Sequence, residues 1–261
     1  MTNVINIFNN KSRYTYQFIK EAKEILYKHN FKVSEEYNKD AILNLVIGGD
    51  GTFLRAVHRS NFSQIPFIGV NTGHLGFYQD ISPDEFENFL FLFENKKFEI
   101  NNLNLVESKF AKKSFQCLNE MVIRSRKNEI IRMKVFIDGN FLEDFAGDGI
   151  IISTPHGSTA YNLSAGGAVM HQSLGGFQLT PIAPLKNATY NSLTSSLVCP
   201  QNSKINIVIS KRDRKKAVLI LDGREYFPKD FKFSISISNT YIKKIILDKN
   251  RYWNNIKDKI L

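Results

Sequence analysis

An apolar run that stops abruptly at two glycines constrains the fold of this chain more than any other feature of its sequence. Residues 41–47 carry the aliphatic and β-branched side chains typical of a buried parallel strand. The run ends at Gly48 and Gly49, where the backbone can adopt a positive φ or approach a ligand closely. We expect Thr52 to cap a helix that begins near Phe53, with free N–H groups directed at the turn. Because the helix dipole favours negative charge, this strand-to-helix turn predicts a phosphate site.

Asp50 is the unusual residue of this turn, because it places a carboxylate where phosphate is expected. A carboxylate repels a bare phosphate, and we therefore expect Asp50 either to bind a metal or to accept a proton. The alternative interpretation is that Asp50 only caps the helix. A lone Gly-Gly-Asp-Gly sequence does not decide between these two interpretations.

The composition is that of an ordinary globular protein. Of the 261 residues, 43% are hydrophobic and 23% are charged, which allows one large domain or two small ones. The longest strongly apolar stretch, residues 89–93, is too short to cross a bilayer, and the first residues do not resemble a secretory signal. Cys117 and Cys199 are far apart and outside any metal-binding spacing, so we expect reduced thiols in a cytoplasmic protein.

The net charge of +10 raises the question of nucleic-acid binding. The basic residues are spread along the chain, and their one tight cluster, residues 211–216, lies between two strand-like runs. Such a cluster is more simply a solvated hairpin tip. We therefore expect no nucleic-acid partner and no membrane partner, and a preference for small anionic ligands.

Strands and helices alternate in the first part of the chain. The expected elements are strands at residues 4–8, 41–47 and 65–70, and helices at residues 11–30, after the glycine turn, and from Ser82. This alternation predicts a doubly wound α/β domain over residues 1–100. In such a domain ligands bind at the carboxyl ends of the strands, where both the glycine turn and the loop at residues 71–77 fall.

After about residue 100 the pattern becomes that of a mainly β domain. The expected strands are at residues 114–124, 130–137, 204–210, 217–221, 231–238 and 241–247. Asp138-Gly139 marks a hairpin, and one helical stretch, residues 158–170, interrupts the strands. We predict a β-rich, sandwich-like domain over residues 101–261, whose end, residues 252–261, is a strand or a helix that can pack back on the first domain.

The second domain contains an isoleucine-rich strand that runs into a loop dense with hydroxyl groups. Residues 153–162 read Ser-Thr-Pro-His-Gly-Ser-Thr-Ala-Tyr-Asn. Hydroxyl and N–H groups suit the polar edge of a nucleotide, and the Tyr161 ring can stack on a base. The alternative is a polar turn with Tyr161 packed in the core. Asn119 and Glu120 are a further candidate pair, because neighbouring strand residues point to opposite faces and one of them can face a ligand.

Taken in order, these segments resemble an NAD kinase of the bacterial type. The resemblance rests on Gly-Gly-Asp-Gly-Thr at residues 48–52, Asn119-Glu120, Gly147-Asp148-Gly149, Thr-Pro-x-Gly-x-Thr-Ala-Tyr-Asn at residues 154–162, Pro-Ile-Ala-Pro at residues 181–184 and Asp222-Gly223. It covers the chain from about residue 4 to about residue 228. The glycine motif is shared with diacylglycerol and sphingosine kinases and with phosphofructokinases, whereas the Thr-Pro segment is much more specific.

The resemblance implies that the protein phosphorylates the 2′-hydroxyl of the adenosine ribose of NAD with ATP, giving NADP. Asp50 matches the family's proton acceptor, and Mg²⁺ is expected to arrive with ATP without a dedicated metal site. The residues that match the family's contacts to NAD and ATP are Gly49, Gly51, Thr52, Leu75, Gly76, Phe77, Asn119, Glu120, Asp148, His156, Thr159, Ala160, Tyr161, Asn162, Ser164, Ala183 and Asp222.

The resemblance also divides these residues among the parts of the dinucleotide. Residues 159–161 match the adenine pocket, with Ser164 beside them. Asn119 matches a contact to the adenine and Glu120 a contact to the ribose. Asp148 and Ala183 match contacts to the opposite end of the dinucleotide.

Two other classes of protein remain open from the residues alone. A lipid kinase of the diacylglycerol type shares the glycine motif, but it leaves residues 159–161 unexplained. A non-catalytic dinucleotide sensor can use the same pocket, but it has no use for Asp50. His156, where the family more often has Ser or Thr, and Arg224, where a smaller polar residue is expected, leave the local contacts undecided.

The resemblance further implies a homodimer or a homotetramer.

Overall fold

The structure, a computed structural model, describes residues 3–73, 76–110, 113–127, 129–248 and 250–260. The chain divides into two compact units, the first made of Met1–Asn102 and Tyr241–Leu261 and the second of Leu103–Thr240. Two segments that are distant in sequence therefore build the first unit. None of the helices in the described ranges has both the length and the apolar character needed to cross a membrane.

The first unit is built on a parallel sheet. Its elements in chain order are β1 (Val4–Asn9), α1 (Arg13–Lys28), β2 (Lys32–Ser34), β3 (Leu43–Gly48), α2 (Asp50–Arg59), β4 (Phe67–Asn71), a 3-10 turn at Pro83–Glu85 and α3 (Phe86–Glu94). β1 pairs in parallel with β2 and with β3, and β3 pairs in parallel with β4. The predicted α/β character of this part of the chain is confirmed.

The sequences of the helices in this unit explain where the helices begin and which of their faces are buried. The Ser12 side chain accepts a hydrogen bond from the Thr15 N–H and caps α1. Phe18, Ala22 and Leu26 recur every four residues along α1, so they lie on one face and are buried in the core of the first unit. Before α3 the Glu85 carboxylate accepts from the Ser82 N–H at 2.7 Å, as the predicted capping box requires.

The second unit is mainly β. Its elements are β5 (Glu99–Phe110), which begins in the first unit, β6 (Lys113–Cys117), β7 (Glu120–Ser125), β8 (Ile131–Ile137), β9 (Asn140–Gly147), β10 (Gly149–Ser153), a 3-10 turn at His156–Thr159, α4 (Tyr161–Ser164), β11 (Phe177–Ile182), β12 (Leu197–Cys199), β13 (Ile205–Ile209), a 3-10 turn at Lys211–Lys216, β14 (Ala217–Leu221), β15 (Arg224–Tyr226) and β16 (Lys232–Ile246). Six strands form an antiparallel sheet in the order β12-β11-β10-β7-β14-β15. β13 pairs antiparallel with β8 and with the first part of β16.

The core of the second unit lies between these two sets of strands. Ile123 and Ile150 of the six-stranded sheet belong to the same buried cluster as Val135 and Ile207 of the other set. This face-to-face packing is the arrangement of a β-sandwich, and it confirms the predicted β-rich architecture. Cys117 and Cys199 are both buried, and both are free thiols.

The chain returns to the first unit along β16 and ends in α5 (Arg251–Ile260). Lys244 of β16 lies in parallel register with Phe67 of β4, and Ile245 joins the core of the first unit. Of the two alternatives predicted for the end of the chain, the structure has the helix.

Two local predictions about the second unit are wrong. Residues 211–216 are not a hairpin tip, because β13 and β14 on either side belong to different sheets. The predicted helix at residues 158–170 is reduced to a 3-10 turn and the four-residue α4. Gly166 adopts a φ of +84°, which ends the helix, and a Cβ on Gly167 would lie 2.3 Å from the Asn162 side chain.

Candidate functional site

The turn between β3 and α2 has the predicted shape, but α2 begins earlier than expected. A Cβ on Gly48 would lie 2.4 Å from the Thr52 hydroxyl, so only glycine fits there. Gly49 is the N-cap residue, and its carbonyl oxygen accepts from the Thr52 and Phe53 N–H groups at 2.8 and 3.2 Å. The prediction that Thr52 caps the helix is therefore wrong. Its hydroxyl lies in the first turn and accepts a hydrogen bond from the Arg55 guanidinium at 3.0 Å.

The Asp50 carboxylate is held by the loop after β4 and makes no capping bond. Its two oxygens accept from the backbone N–H groups of Phe77 and Tyr78, at 2.9 and 3.0 Å respectively. The helix itself has no side-chain cap. The interpretation of Asp50 as a mere cap therefore fails, and the carboxylate is fixed in a partly exposed position at the positive end of α2.

Gly76 allows the loop to come this close to Asp50. A Cβ at this position would lie 2.2 Å from one Asp50 oxygen and 2.0 Å from the Gln79 side-chain oxygen. The structure thus brings together four of the predicted residues, Asp50, Gly51, Gly76 and Phe77. Leu75, which was also predicted, lies outside the described residues.

Sequence reasoning missed the charged groups around this carboxylate. The Lys259 ammonium of α5 lies 3.7 Å from an Asp50 oxygen, and also 4.5 Å from the centre of the Phe77 ring. Asp80 forms a buried ion pair with Lys244 at 2.7 Å. Burial raises the pKa of Asp80, although Lys244 acts in the opposite direction. No local sequence pattern connects these residues, because β16 and α5 come from the far end of the chain.

In the second unit a single carboxylate organises the predicted Asn119–Glu120 pair. Asp222 lies between β14 and β15 with a φ of +47°. Its oxygens accept from the N–H groups of Leu118, Asn119 and Glu120 at 2.8, 2.7 and 3.3 Å. Asp222 therefore fixes the backbone that presents Asn119 and Glu120, a role that the sequence did not predict.

Glu120 is the most strongly perturbed acid of this part of the structure. Its side chain is 8% exposed, and one of its oxygens has no hydrogen-bond partner among the described residues. Burial, together with the nearby negative charge of Asp222, raises the pKa of Glu120 to about 8. A buried carboxyl group with a free oxygen is available to a hydroxyl group of a ligand.

The hydroxyl-rich loop packs directly on Asn119. The Thr154 hydroxyl donates to the Leu118 carbonyl oxygen at 2.6 Å and accepts from the Gly157 N–H at 3.0 Å. A Cβ on Gly157 would lie 2.1 Å from the Asn119 carbonyl oxygen, so the loop can pack this closely only with glycine. His156 is buried in the same turn.

The residues that follow divide into internal and exposed ones. Asn162 is fully buried, and its amide group bonds the Ser158 and Ala168 carbonyl oxygens while accepting from the Thr180 hydroxyl. Tyr161 is 38% exposed at the start of α4, which excludes the alternative of a core tyrosine. Thr159 and Ala160 are half-buried and Ser164 is exposed.

Asp148 and Ala183 lie together at the opposite end of β10. The Asp148 N–H donates to the Ile182 carbonyl oxygen at 3.0 Å, next to Ala183. Glu120 pairs with Ser153 at the other end of β10, whereas Asp148 immediately precedes Gly149 at its start. Five residue steps of about 3.3 Å, from Asp148 to Ser153, separate these two positions by about 16 Å. A ligand that contacts both must be extended.

Comparison with known proteins places this architecture in a family. The model of the ATP-NAD kinase N-terminal domain matches residues 2–98, and that of the ATP-NAD kinase C-terminal domain matches residues 118–248. The chain belongs to the ATP-NAD kinase family. Its predicted resemblance to NAD kinases is confirmed, and the comparisons lend no support to a lipid kinase or a non-catalytic sensor.

Relatives with the name NAD kinase match this chain over nearly its whole length. The NAD kinase of Finegoldia magna is 43% identical over 99% of this chain and 98% of its own, and NAD kinase 2 of Bacillus subtilis is 33% identical over 98% and 97%. Among solved structures, an NAD kinase from Archaeoglobus fulgidus in complex with ATP has a TM-score of 0.82 at 25% identity and covers 98% of both chains. A yeast NADH kinase complexed with NADH shares the fold, with a TM-score of 0.85 at 20% identity over 99% of this chain and 87% of its own.

Proposed function

We propose that the protein transfers the γ-phosphoryl group of ATP to the 2′-hydroxyl of the adenosine ribose of NAD, giving NADP and ADP. The observation that carries this proposal is the position of Asp50, whose carboxylate is fixed by two N–H groups at the N-terminus of α2. Phosphoryl transfer depends on positioning and on charge stabilisation, with one residue to orient or deprotonate the nucleophile. Asp50 is suited to that last task, because both its oxygens are held in place and the group remains partly exposed.

In the proposed reaction the ribose 2′-oxygen attacks the γ-phosphorus as the bond to the β–γ bridging oxygen breaks. The hydroxyl proton passes to the Asp50 carboxylate, and ADP leaves with the bridging oxygen. The N–H groups of Gly49 and Gly51 at the start of α2 are proposed to face the phosphates, next to the Thr52 hydroxyl group. Gly76 and Phe77 complete this environment next to Asp50.

The second unit is proposed to hold the dinucleotide. Glu120 offers its free oxygen to a ribose hydroxyl, and Asn119 presents its amide group to the adenine, with Tyr161 and residues 159–160 alongside. His156 and Asn162 support this loop from buried positions, Asp222 supports it through its bonds to the N–H groups of residues 118–120, and Ser164 lies beside it. Asp148 and Ala183, about 16 Å away along the direction of β10, are proposed to contact the opposite end of the dinucleotide.

Mg²⁺ is proposed to enter on the phosphates of ATP, where it supplies charge neutralisation. Within the described ranges there is no group of three or more His, Cys, Asp or Glu side chains placed to hold a metal ion. Mg²⁺ typically keeps several waters and binds one or two carboxylates besides the phosphates, so it needs no such group of protein ligands.

We further propose a homodimeric or homotetrameric assembly, which gel filtration with light scattering can test. A cytoplasmic location is also proposed, and fractionation of cells can test it.

Incubation with NAD, ATP and Mg²⁺ tests the reaction, with NADP measured by mass spectrometry and by a coupled dehydrogenase. Diacylglycerol replaces NAD in a parallel assay. Formation of lipid phosphate without NADP would refute the proposal. NAD binding without turnover would also refute it, and would favour a non-catalytic dinucleotide sensor.

Asp50→Asn tests the role of the carboxylate. We expect kcat to fall by at least about 10²-fold, the lower end of the effect of a positioned general base, with little change in NAD affinity. Asn keeps one acceptor oxygen for the loop, and Asp84→Asn, at an exposed turn, is the matched control. Turnover of Asp50→Asn within a few-fold of the parent in single-turnover NADP formation removes Asp50 from the mechanism.

A further inference from the structure

The C-terminal helix α5 contacts both Asp50 and the loop that holds its carboxylate. Asn255 and Lys259 are four residues apart and lie on the same face of α5. Asn255 is 4% exposed, and its amide group donates to the Gly76 carbonyl oxygen at 3.3 Å. One turn further on, the Lys259 ammonium lies 3.7 Å from an Asp50 oxygen and above the Phe77 ring. The same short loop that donates two N–H groups to Asp50 is thus also bound by α5.

The distribution of charges around Asp50 indicates an electrostatic role for Lys259 in addition to packing. Asp80 is already paired with Lys244, and Arg251 also acts on Asp80. Within the described residues, Lys259 is the one cation that the structure places in an ion pair with Asp50. Without Lys259, only the two N–H groups of residues 77–78 and the dipole of α2 offset the charge of the Asp50 carboxylate, at a turn that is proposed to accept the phosphates of ATP.

Burial of Lys259 strengthens this arrangement. Its side chain is 19% exposed, and desolvation lowers the pKa of Lys259, whereas Asp50 acts to raise it. An ammonium group that has given up much of its water interacts more strongly with its partners than a fully solvated one. The contact with the face of the Phe77 ring adds a cation–π attraction that fixes where the ammonium lies.

We propose that Lys259 is a positioning residue of the phosphoryl transfer, delivered by the last turn of α5. It holds the Asp50 carboxylate against residues 76–78 and compensates its charge where the phosphates of ATP approach. This inference rests on the proposed NAD kinase activity, since it assigns Asp50 to that reaction. It also makes the end of the chain part of the catalytic apparatus.

Lys259→Met removes the charge and keeps most of the aliphatic stem. Two charges about 4 Å apart interact by about 1 kcal/mol even at the dielectric constant of water, which corresponds to about fivefold. We therefore expect kcat/KM for ATP to fall about five- to tenfold or more, through a higher KM for ATP and a lower kcat. Lys259→Arg should restore it to within about threefold of the parent, because it keeps the cation over the ring.

Lys257→Met is the matched control, because this substitution removes the same charge from the exposed side of the same helix. Thermal unfolding of the three variants separates function from packing: we expect the unfolding temperatures of Lys259→Met and Lys257→Met to agree within about two degrees. A merely structural Lys259 would lower the unfolding temperature and leave the KM for ATP unchanged.

The double variant Asp50→Asn, Lys259→Met tests whether Lys259 acts through Asp50. ATP affinity, measured by calorimetry, should fall in Lys259→Met, and this loss should shrink when Asp50→Asn has removed the charge that Lys259 compensates. If the parent forms NADP but Lys259→Met behaves like Lys257→Met, or turns over faster than the parent, the inference is overturned. If the parent forms no NADP, the proposed function has failed instead.

Discussion

Glu120→Gln offers a sharp test of how the second unit is built, because burial and Asp222 raise the pKa of Glu120 to about 8 from 4.5. Below pH 4.5 the carboxyl group is protonated in both the folded and the unfolded protein, and folding is unaffected by its titration. Between pH 4.5 and about 8 the folded protein keeps a proton that the unfolded chain has released. The free energy of unfolding therefore falls as pH rises through this window, and the loss is complete above about pH 8.

The size of the effect follows from the difference between these two pKa values. Each pKa unit corresponds to about 1.4 kcal/mol, so the full loss approaches about 5 kcal/mol, and about 3 kcal/mol of it falls between pH 5.5 and pH 8.5. The substituted glutamine side chain cannot ionise, and it keeps the shape of the original one. We expect Glu120→Gln to gain about 3 kcal/mol relative to the parent when the pH is raised across that range.

Urea unfolding at pH 5.5, 7 and 8.5, followed by far-UV circular dichroism, measures this difference. Other titrating groups, Asp80 among them, are common to both proteins and cancel. Glu225→Gln, at an exposed position of β15, is the control and should follow the parent at every pH. Parallel curves for the parent and Glu120→Gln would refute the reasoning, since they would mean that Glu120 titrates alike in the folded and unfolded chains.

Substitutions at two positions, Tyr161 and Gly157, test the loop that packs on Asn119. Tyr161→Ala should weaken NAD binding by about 1 kcal/mol, whereas Tyr161→Phe should bind nearly normally. Because Tyr161 is 38% exposed, neither should lower the unfolding temperature much, and a loss of stability with unchanged calorimetric affinity would assign the ring to packing. Gly157→Ala should destabilise the protein by about 1–3 kcal/mol in urea unfolding, because its Cβ would lie 2.1 Å from a backbone oxygen. Gly73→Ala, whose Cβ would have no atom of a non-adjacent described residue within 4 Å, should not destabilise the protein, and equal stability of the two variants would contradict this account.

Local patterns were sufficient to predict the turn that carries Asp50 and the general fold. A buried strand, two glycines and a helix-forming segment are adjacent in sequence, and the turn they form depends on nothing more distant. The α/β and β-rich character of the two parts also follows from local periodicity, which burial on one or two faces imposes. The wrong assignment of the helix cap to Thr52 has an equally local cause. Gly49 can cap a helix through its backbone alone, and a preference for side-chain caps overlooks it.

Contacts between distant segments could not be predicted in this way. Asp222 binds the N–H groups of residues 118–120 from about a hundred residues away, and its motif signals only a turn. Lys259 looks like any basic residue in the last turn of a helix. The hairpin predicted at residues 211–216 failed for the same reason, because the partners of β13 and β14 are decided by the two sheets and not by the turn between them.

The discontinuity of the first unit has a consequence for how the protein is made. Translation delivers Met1–Asn102, including Asp50, long before it delivers Tyr241–Leu261. While the second unit is being translated, the first unit therefore lacks the last part of β16, which pairs with β4, and it lacks Lys259, which lies beside Asp50. Domains generally fold as units during synthesis, but this one cannot finish until the second has been made. A premature stop codon just before Lys259 would leave the second unit intact and still deprive the first of the last turn of α5.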